Sequence, residues 1–288
     1  IAIEIAKAAK ATRAIKAGKT GKAIKSAKIG KTDDHITIAI ERNPGMSKSN
    51  QPFRFKRFEV YHHRSSMKIG VDAVILGAWA NVLNARTILD VGCGCGVIAL
   101  MTAQRNQTST IEAIDIDKGS IEEAAGNFLA SPWLERLVAK QIDFNDYCSR
   151  HIEQSIQPID YIISNPPYFD SGVATQDSIR LKARHQGQLS PSIILEKGSN
   201  LISDSGIIGM VIPVEQAEEL TGIANSIGLY TIRKMIMTGR EGREPKRCFI
   251  EFGRHHVPFS TEHLTIEFHD GSFTPDYKSL CQDFYLKF

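Results

Sequence analysis

Between residues 87 and 103 a strand-like run, a turn with glycine at every second position and an apolar helix-like run follow one another, which leaves few folds open. Thr87-Ile88-Leu89-Asp90-Val91 is an apolar run of the kind found in parallel sheets covered on both faces. Val97-Ile98-Ala99-Leu100-Met101-Thr102-Ala103 reads as the helix that returns over it. Gly92, Gly94 and Gly96, between the two, permit a tight turn and close approach of the backbone to a ligand. The spacing is G-x-G-x-G. It is not the G-x-G-x-x-G of dinucleotide sites, and no Gly-Lys-Ser/Thr follows as in a P-loop. Asp90 at the strand end repels phosphate but suits an ammonium or a water.

The same alternation continues. Helices are expected over residues 71–80, 120–129, 191–201 and 215–227, and buried strands over residues 161–164 and 205–213. Residues 230–237 and 247–252 read as a strand pair around the basic turn Gly239-Arg240-Glu241-Gly242-Arg243. Successive strand-helix units imply an α/β fold: a mostly parallel sheet with helices on both faces, closed by an antiparallel C-terminal hairpin.

Three strand ends carry carboxylates or lie beside one. Besides Asp90, Ile111-Glu112-Ala113-Ile114-Asp115 offers Asp115 to the two hydroxyls of a ribose, with Asp117 as a nearby competitor. Gln141-Ile142-Asp143-Phe144 offers Asp143 to an adenine amino group and Phe144 to its ring face. Any one of these acids alone reads equally as a helix N-cap, but three in register describe a nucleoside pocket. Further along, Tyr161-Ile162-Ile163-Ser164 delivers Asn165-Pro166-Pro167-Tyr168 to the carboxyl edge of the sheet, where ligands of α/β proteins bind. The Asn165 side-chain oxygen and the Pro166 carbonyl can each accept one N–H of a planar amine, and the prolines hold those acceptors in place. Tyr168 adds a face on which a base can stack. As a bare tetrapeptide the segment is also an ordinary turn; after a strand and a nucleoside pocket it points to methyl transfer onto nitrogen from S-adenosylmethionine.

Composition sets the remaining bounds. With 288 residues, 42% of them hydrophobic, the chain can bury a large single core. It has no run of about 18 apolar residues and no signal-peptide pattern, so a soluble, cytoplasmic protein is expected. Five cysteines occur without a C-x-x-C pair, so neither zinc nor a disulfide is expected. The formal charge of +3 is uneven: residues 1–45 carry ten basic and four acidic side chains, leaving the remainder at −3. Affinity for RNA must then come from local patches. Arg54, Lys56, Arg57 and Arg64, set among Phe53, Phe55, Phe58 and Tyr61, form one candidate, and Arg240, Arg243, Lys246 and Arg247 another. The doublets His62-His63 and His255-His256 read as surface or RNA-facing, and Arg180, Lys182, Arg184 and His185 lie in a loop that could close over substrate. From Lys7 to Lys31 a basic residue recurs every third position, a period that fits neither helix nor strand. Disorder or a loose solvated helix is expected there. Met46 looks like a translation start, making residues 1–45 either an upstream extension or a basic arm that assists RNA binding.

From Phe53 to Phe288 the chain resembles the class I S-adenosylmethionine-dependent methyltransferases, and among them the bacterial tRNA1(Val) adenine-37 N6-methyltransferase family. Beyond the glycine turn and Asn-Pro-Pro-Tyr, the resemblance rests on Phe53-Arg54-Phe55-Lys56-Arg57-Phe58, the segment from Ser66 to Trp79, Ser131-Pro132-Trp133 and Phe284-Tyr285-Leu286. It implies a Rossmann-like domain over residues 46–288 with a seven-stranded sheet. It also implies that Asp90, Gly92, Gly94, Gly96, Asp115, Asp143 and Phe144 hold the cofactor, that residues 68–72 cover its methionine end, and that Asn165, Pro166 and Tyr168 hold the target base. The expected reaction is methylation of N6 of adenine 37 in valine tRNA, with no metal and no membrane involved. Two other readings stand beside it: N5-methylation of a glutamine amide in a protein such as a release factor, whose planar NH2 suits the same clamp, and a nucleic-acid-binding module with a vestigial pocket.

Overall fold

The structure, a computed structural model, describes residues 30–32, 35–37, 51–65, 68–167 and 189–288. The chain divides into two units, Ile1–Gln51 and Pro52–Phe288. In the first, β1 (Gly30–Thr32) pairs antiparallel with β2 (His35–Thr37). The rest of residues 1–45, with the disorder expected there, lies outside the described residues.

The second unit opens with a two-stranded ladder, β3 (Phe53–Arg54) and β4 (Glu59–Val60). Then come α1 (Val71–Trp79), β5 (Thr87–Val91), α2 (Val97–Arg105), β6 (Thr110–Asp115), α3 (Lys118–Ala130), β7 (Leu137–Gln141), α4 (Phe144–Glu153) and β8 (Ile159–Ser164). After residues outside the description follow α5 (Pro191–Gly198), β9 (Ile202–Pro213), α6 (Ala217–Ser226), β10 (Tyr230–Arg240), β11 (Arg247–Gly253), β12 (Thr261–Glu267) and α7 (Pro275–Cys281). Eight strands form one sheet in the order β12-β10-β11-β9-β8-β5-β6-β7. Seven run in one direction; β11 alone is antiparallel, to both β9 and β10.

The class is the one expected, but the seven-stranded sheet is corrected to eight. β12 joins the edge beside β10, where one face stays half exposed, so Thr-Glu-His-Leu-Thr-Ile-Glu carries no apolar run that would announce a strand. The helix α4 was also not expected, although Phe144, Tyr147, Cys148 and His151 bury one helical face at the right spacing.

Side-chain alternation along the central strands builds two cores. Ile88, Tyr161, Ile163, Val211 and Phe249 pack with α1, α2 and α3. Leu89, Val91, Ile162, Met210, Ile212 and Ile250 pack with α4, α5 and α6. Covering both faces leaves the carboxyl edge of the strands as the open end of the sheet. On the first face Tyr161 donates to Glu251 (2.6 Å), which also accepts the Asn81 N–H (2.7 Å), so this buried carboxyl ties β8 and β11 to the end of α1.

Candidate active site

Strand register fixes the geometry of the site. Val91 lies opposite Ile114 on one side and Ser164 on the other, so β5, β6 and β8 end together. The Ser164 hydroxyl donates to the Val91 carbonyl (2.7 Å) and ties the two strand ends. Gly92 and Asn165 are the next residues of adjacent strands, which places the start of the polar clamp beside the start of the glycine turn. Asn165 is half-buried and Pro166 buried. Tyr168 and the basic residues 180–185 lie outside the described residues.

The turn folds over the end of β6. Gly92 and Cys93 N–H donate to the Ile114 carbonyl (2.9 and 3.0 Å), and Gly94 N–H donates to Asp115 Oδ2 (2.9 Å). Gly92, Gly94 and Gly96 have φ of 70°, 53° and 78°, a region that L side chains rarely enter. At Gly96 there is no room either: a Cβ would stand 2.5 Å from Phe128 Cε1 of α3.

Asp115, Asp143, Phe144 and Gly92 meet on one cleft of 90 Å³, together with Ile116, Ile142 and Leu189. Both Asp115 oxygens accept a backbone N–H, from Gly94 and from Asp117 (2.9 Å each). A carboxylate offers about four lone-pair positions, so two are left over for a diol. Asp143 is at once a cleft residue and the N-cap of α4, its Oδ1 accepting the Asn145 N–H (2.7 Å). Asp117 caps α3 through Ser120 N–H (2.7 Å) and, unlike Asp115, is not among the residues that line the cleft.

Asp90 is placed differently. It lies wholly buried beneath the turn, and Oδ2 takes the Ala99 N–H in the first turn of α2 (3.1 Å). The Gly96 N-cap has no side chain to do this, so Asp90 satisfies an orphan donor at the positive end of the helix. Its other oxygen, Oδ1, has no hydrogen-bond partner among the described residues. Burial, aided by the Asp115 charge, pushes its pKa up to about 7 against the opposing Ala99 bond.

These residues fit S-adenosylmethionine. Asp115 has acceptors for the ribose, Ile116, Ile142 and Phe144 give the cleft apolar sides, and the unpartnered Asp90 oxygen suits positive charge under the turn. Ile116 and Ile142 were missed from the sequence; an exposed isoleucine directly after a strand-ending acid is the signal for the first, which is 62% exposed. Glu123 was missed as well. From α3 it accepts the backbone N–H groups of His63, Arg64 and Ser65 (2.7, 3.1 and 2.8 Å), which sets Ser65 against the glycine turn. Cys93 and Cys95 are buried free thiols, and burial pushes Cys95 up to about 12.

Two aromatics of the first basic-aromatic group are a correction. Phe55 and Phe58 are only 4% and 6% exposed, stacked on each other and built into the core with Trp133. Of the interleaved cations, Lys56 donates to the Gln282 and Phe288 carbonyls and Arg57 lies over Trp133, while Arg54 pairs with Glu59 on the surface. Phe55 and Phe58 turn into the core, while Phe53 stays 36% exposed. The His62-His63 doublet is also engaged, His62 accepting the Ile69 N–H and His63 lying 3.1 Å from Glu123.

Residues 71–189 match the Methyltransferase small domain, a span that contains both the glycine turn and Asn165. A predicted O-methyltransferase from Agrobacterium tumefaciens shares the fold, with a TM-score of 0.54 at 17% identity over 74% of this chain and 96% of that one. Two relatives are each named tRNA1(Val) (adenine(37)-N6)-methyltransferase. That of Bacteroides fragilis is 39% identical over 83% of this chain and 99% of its own length, and that of Flavobacterium johnsoniae 37% identical over 82% and 99%. A third of the same name, from Tolumonas auensis, is 35% identical over 82% and 97%. With likeness of that extent over the whole methyltransferase unit, the chain belongs to the tRNA1(Val) (adenine(37)-N6)-methyltransferase family.

Proposed function

We propose that this protein transfers a methyl group from S-adenosylmethionine to N6 of adenine 37 in the anticodon loop of tRNA1(Val), working in the cytoplasm. The observation that carries the reading is the register Val91↔Ser164, which sets Asn165 next to the glycine turn at one end of the sheet. The relatives' printed names supply the position and the tRNA.

The bound cofactor supplies an electrophilic methyl on a sulfonium. Asp115 and Asp143 would orient its nucleoside in the cleft, and Asp90, where ionised, would set a negative potential under the turn. Asn165 Oδ1 and the Pro166 carbonyl each accept one N–H of the adenine amine. This rewards the pyramidal nitrogen of the transition state more than the flat ground state, in which the lone pair is spread into the ring. Neither acceptor titrates, so the surplus proton leaves to water after transfer. Alignment of amine and methyl accounts for up to about 7–11 kcal/mol of barrier reduction. An anticodon-loop base is inexpensive to turn out because it is not held in a duplex.

The test is incubation with labelled S-adenosylmethionine and, in parallel, unmodified valine tRNA and a release factor, followed by mass mapping of the product. Label in N6-methyladenosine at position 37 is expected. Label on a glutamine amide, with none in tRNA, would replace this reading with the protein-methylating one.

A further inference from the structure

Apart from the cofactor cleft, the described residues of the Pro52–Phe288 unit enclose a groove of 1110 Å³ bounded by the β10–β11 turn, the start of α1 and the residues after β12. Its wall is aromatic. Phe273, Tyr277, Tyr285 and Phe288 pack edge on or tilted with centroids 5.2–6.4 Å apart, and Phe53 joins them 6.1 Å from Tyr285. Phe53 and Phe273 remain 36% and 39% exposed. Its rim is cationic. Arg54, Arg240, Arg243, Lys246 and Lys287 line it against Glu244 and Glu267 only. Arg240 is neutralised by Glu267 (2.6 Å) and Arg54 by Glu59 (3.1 Å). Arg243, Lys246 and Lys287 have no side-chain partner among the described residues. An aromatic wall under unneutralised cations is the pairing that holds single-stranded nucleic acid, bases on the rings and phosphates on the cations.

The groove also opens on the correct side of the sheet. Arg247 pairs with Pro213 at the end of β9 and with Met237 near the end of β10, so the turn over residues 239–246 projects from the same carboxyl edge as Asn165. Arg247 holds that turn to the start of α1 through Asp72 (2.7 Å). From β8 to β10 is three strand spacings, about 14 Å, within reach of nucleotides that flank a base held at Asn165.

We propose that this groove binds unpaired nucleotides of the substrate RNA next to the target adenine, stacking bases on Phe273 and Phe53 and holding phosphates with Arg243, Lys246 and Lys287. The proposal rests on the tRNA-methylating function above and gives that site its second point of contact.

Full-length protein is titrated with the unmodified anticodon stem-loop of valine tRNA across a range of salt, and with S-adenosylmethionine in a separate calorimetric experiment. The double variant R243E/K246E is expected to bind the RNA about tenfold or more weakly, with a salt slope smaller by about two. Phe273→Ala is expected to lose about fivefold or more. Cofactor affinity stays at the wild-type value in both. Since Arg243 and Lys246 are exposed and anchor nothing described, a wild-type melting curve certifies the fold. Ultraviolet crosslinks from the stem-loop are expected on peptides containing residues 239–246 or 273–288. Wild-type RNA affinity and salt dependence in both variants, or crosslinks confined to other peptides, overturns the proposal. So does a wild-type dimer that the double variant dissociates, which assigns the groove to a second copy of the chain. A wild-type protein that methylates no tRNA is a separate result, and it overturns the function instead.

Discussion

Asp90 has its proton balance set by burial rather than by a partner. Its folded pKa of about 7 lies above the ordinary 3.8. Below about pH 3.8 both the folded and the unfolded carboxyl are protonated. Between the two values the unfolded chain releases a proton that the folded one keeps, so stability contributed by Asp90 is lost as pH rises through about 7. The gap corresponds to about 4 kcal/mol at most. Asp90→Asn keeps an acceptor for Ala99 and removes the charge. The ligand-free variant should therefore melt above wild type at pH 8 and close to it at pH 4, by calorimetry; equal melting temperatures at both would show that Asp90 is not ionising in a buried site. At this scale the sequence was informative for strand-end acids, because alternation of strand and helix places them without knowledge of packing. It was silent on which oxygen is left unpartnered, since that depends on how α2 docks. The aromatic entry segment misled, because Phe55 and Phe58 look the same in sequence whether they face RNA or the core.

Among elements, the start of α2 carries the tightest constraint. Gly96 combines a φ of 78° with a Cβ position 2.5 Å from the Phe128 ring. Gly96→Ala therefore meets backbone strain and overpacking together and should cost about 2–4 kcal/mol in urea unfolding. Adding Phe128→Leu should return the steric part only. A Gly96→Ala protein of wild-type stability would mean that α3 is not packed on the turn. The central strands β5, β6, β8 and β9 were legible because buried parallel strands are largely apolar runs. The edge strand β12 was not, because a strand with one half-exposed face and no apolar run is indistinguishable from a polar loop. The missed α4 has a readable face in Phe144, Tyr147, Cys148 and His151, and Asp143 as its N-cap.

On the scale of the molecule, a unit carrying no excess positive charge presents both of its candidate contacts, the cofactor cleft with Asn165 and the cationic groove, at the carboxyl edge of one sheet. Topology imposes that edge: parallel strands end together, and helices cover both faces. Local charge, not net charge, then decides where RNA can lie. No helix among the described residues is long and apolar enough to cross a membrane. The relation between the clamp and the cofactor cleft is the part of this arrangement on which the chemistry depends. Its most direct test is the single-turnover methylation rate of Asn165→Ala on unmodified valine tRNA, measured beside its calorimetric affinity for S-adenosylmethionine. The rate should fall by about a hundredfold or more, the scale for loss of one preorganised transition-state contact, with cofactor affinity unchanged and Asp115→Ala showing the opposite bias. A wild-type rate for Asn165→Ala, or a loss explained wholly by weaker cofactor binding, would contradict the account.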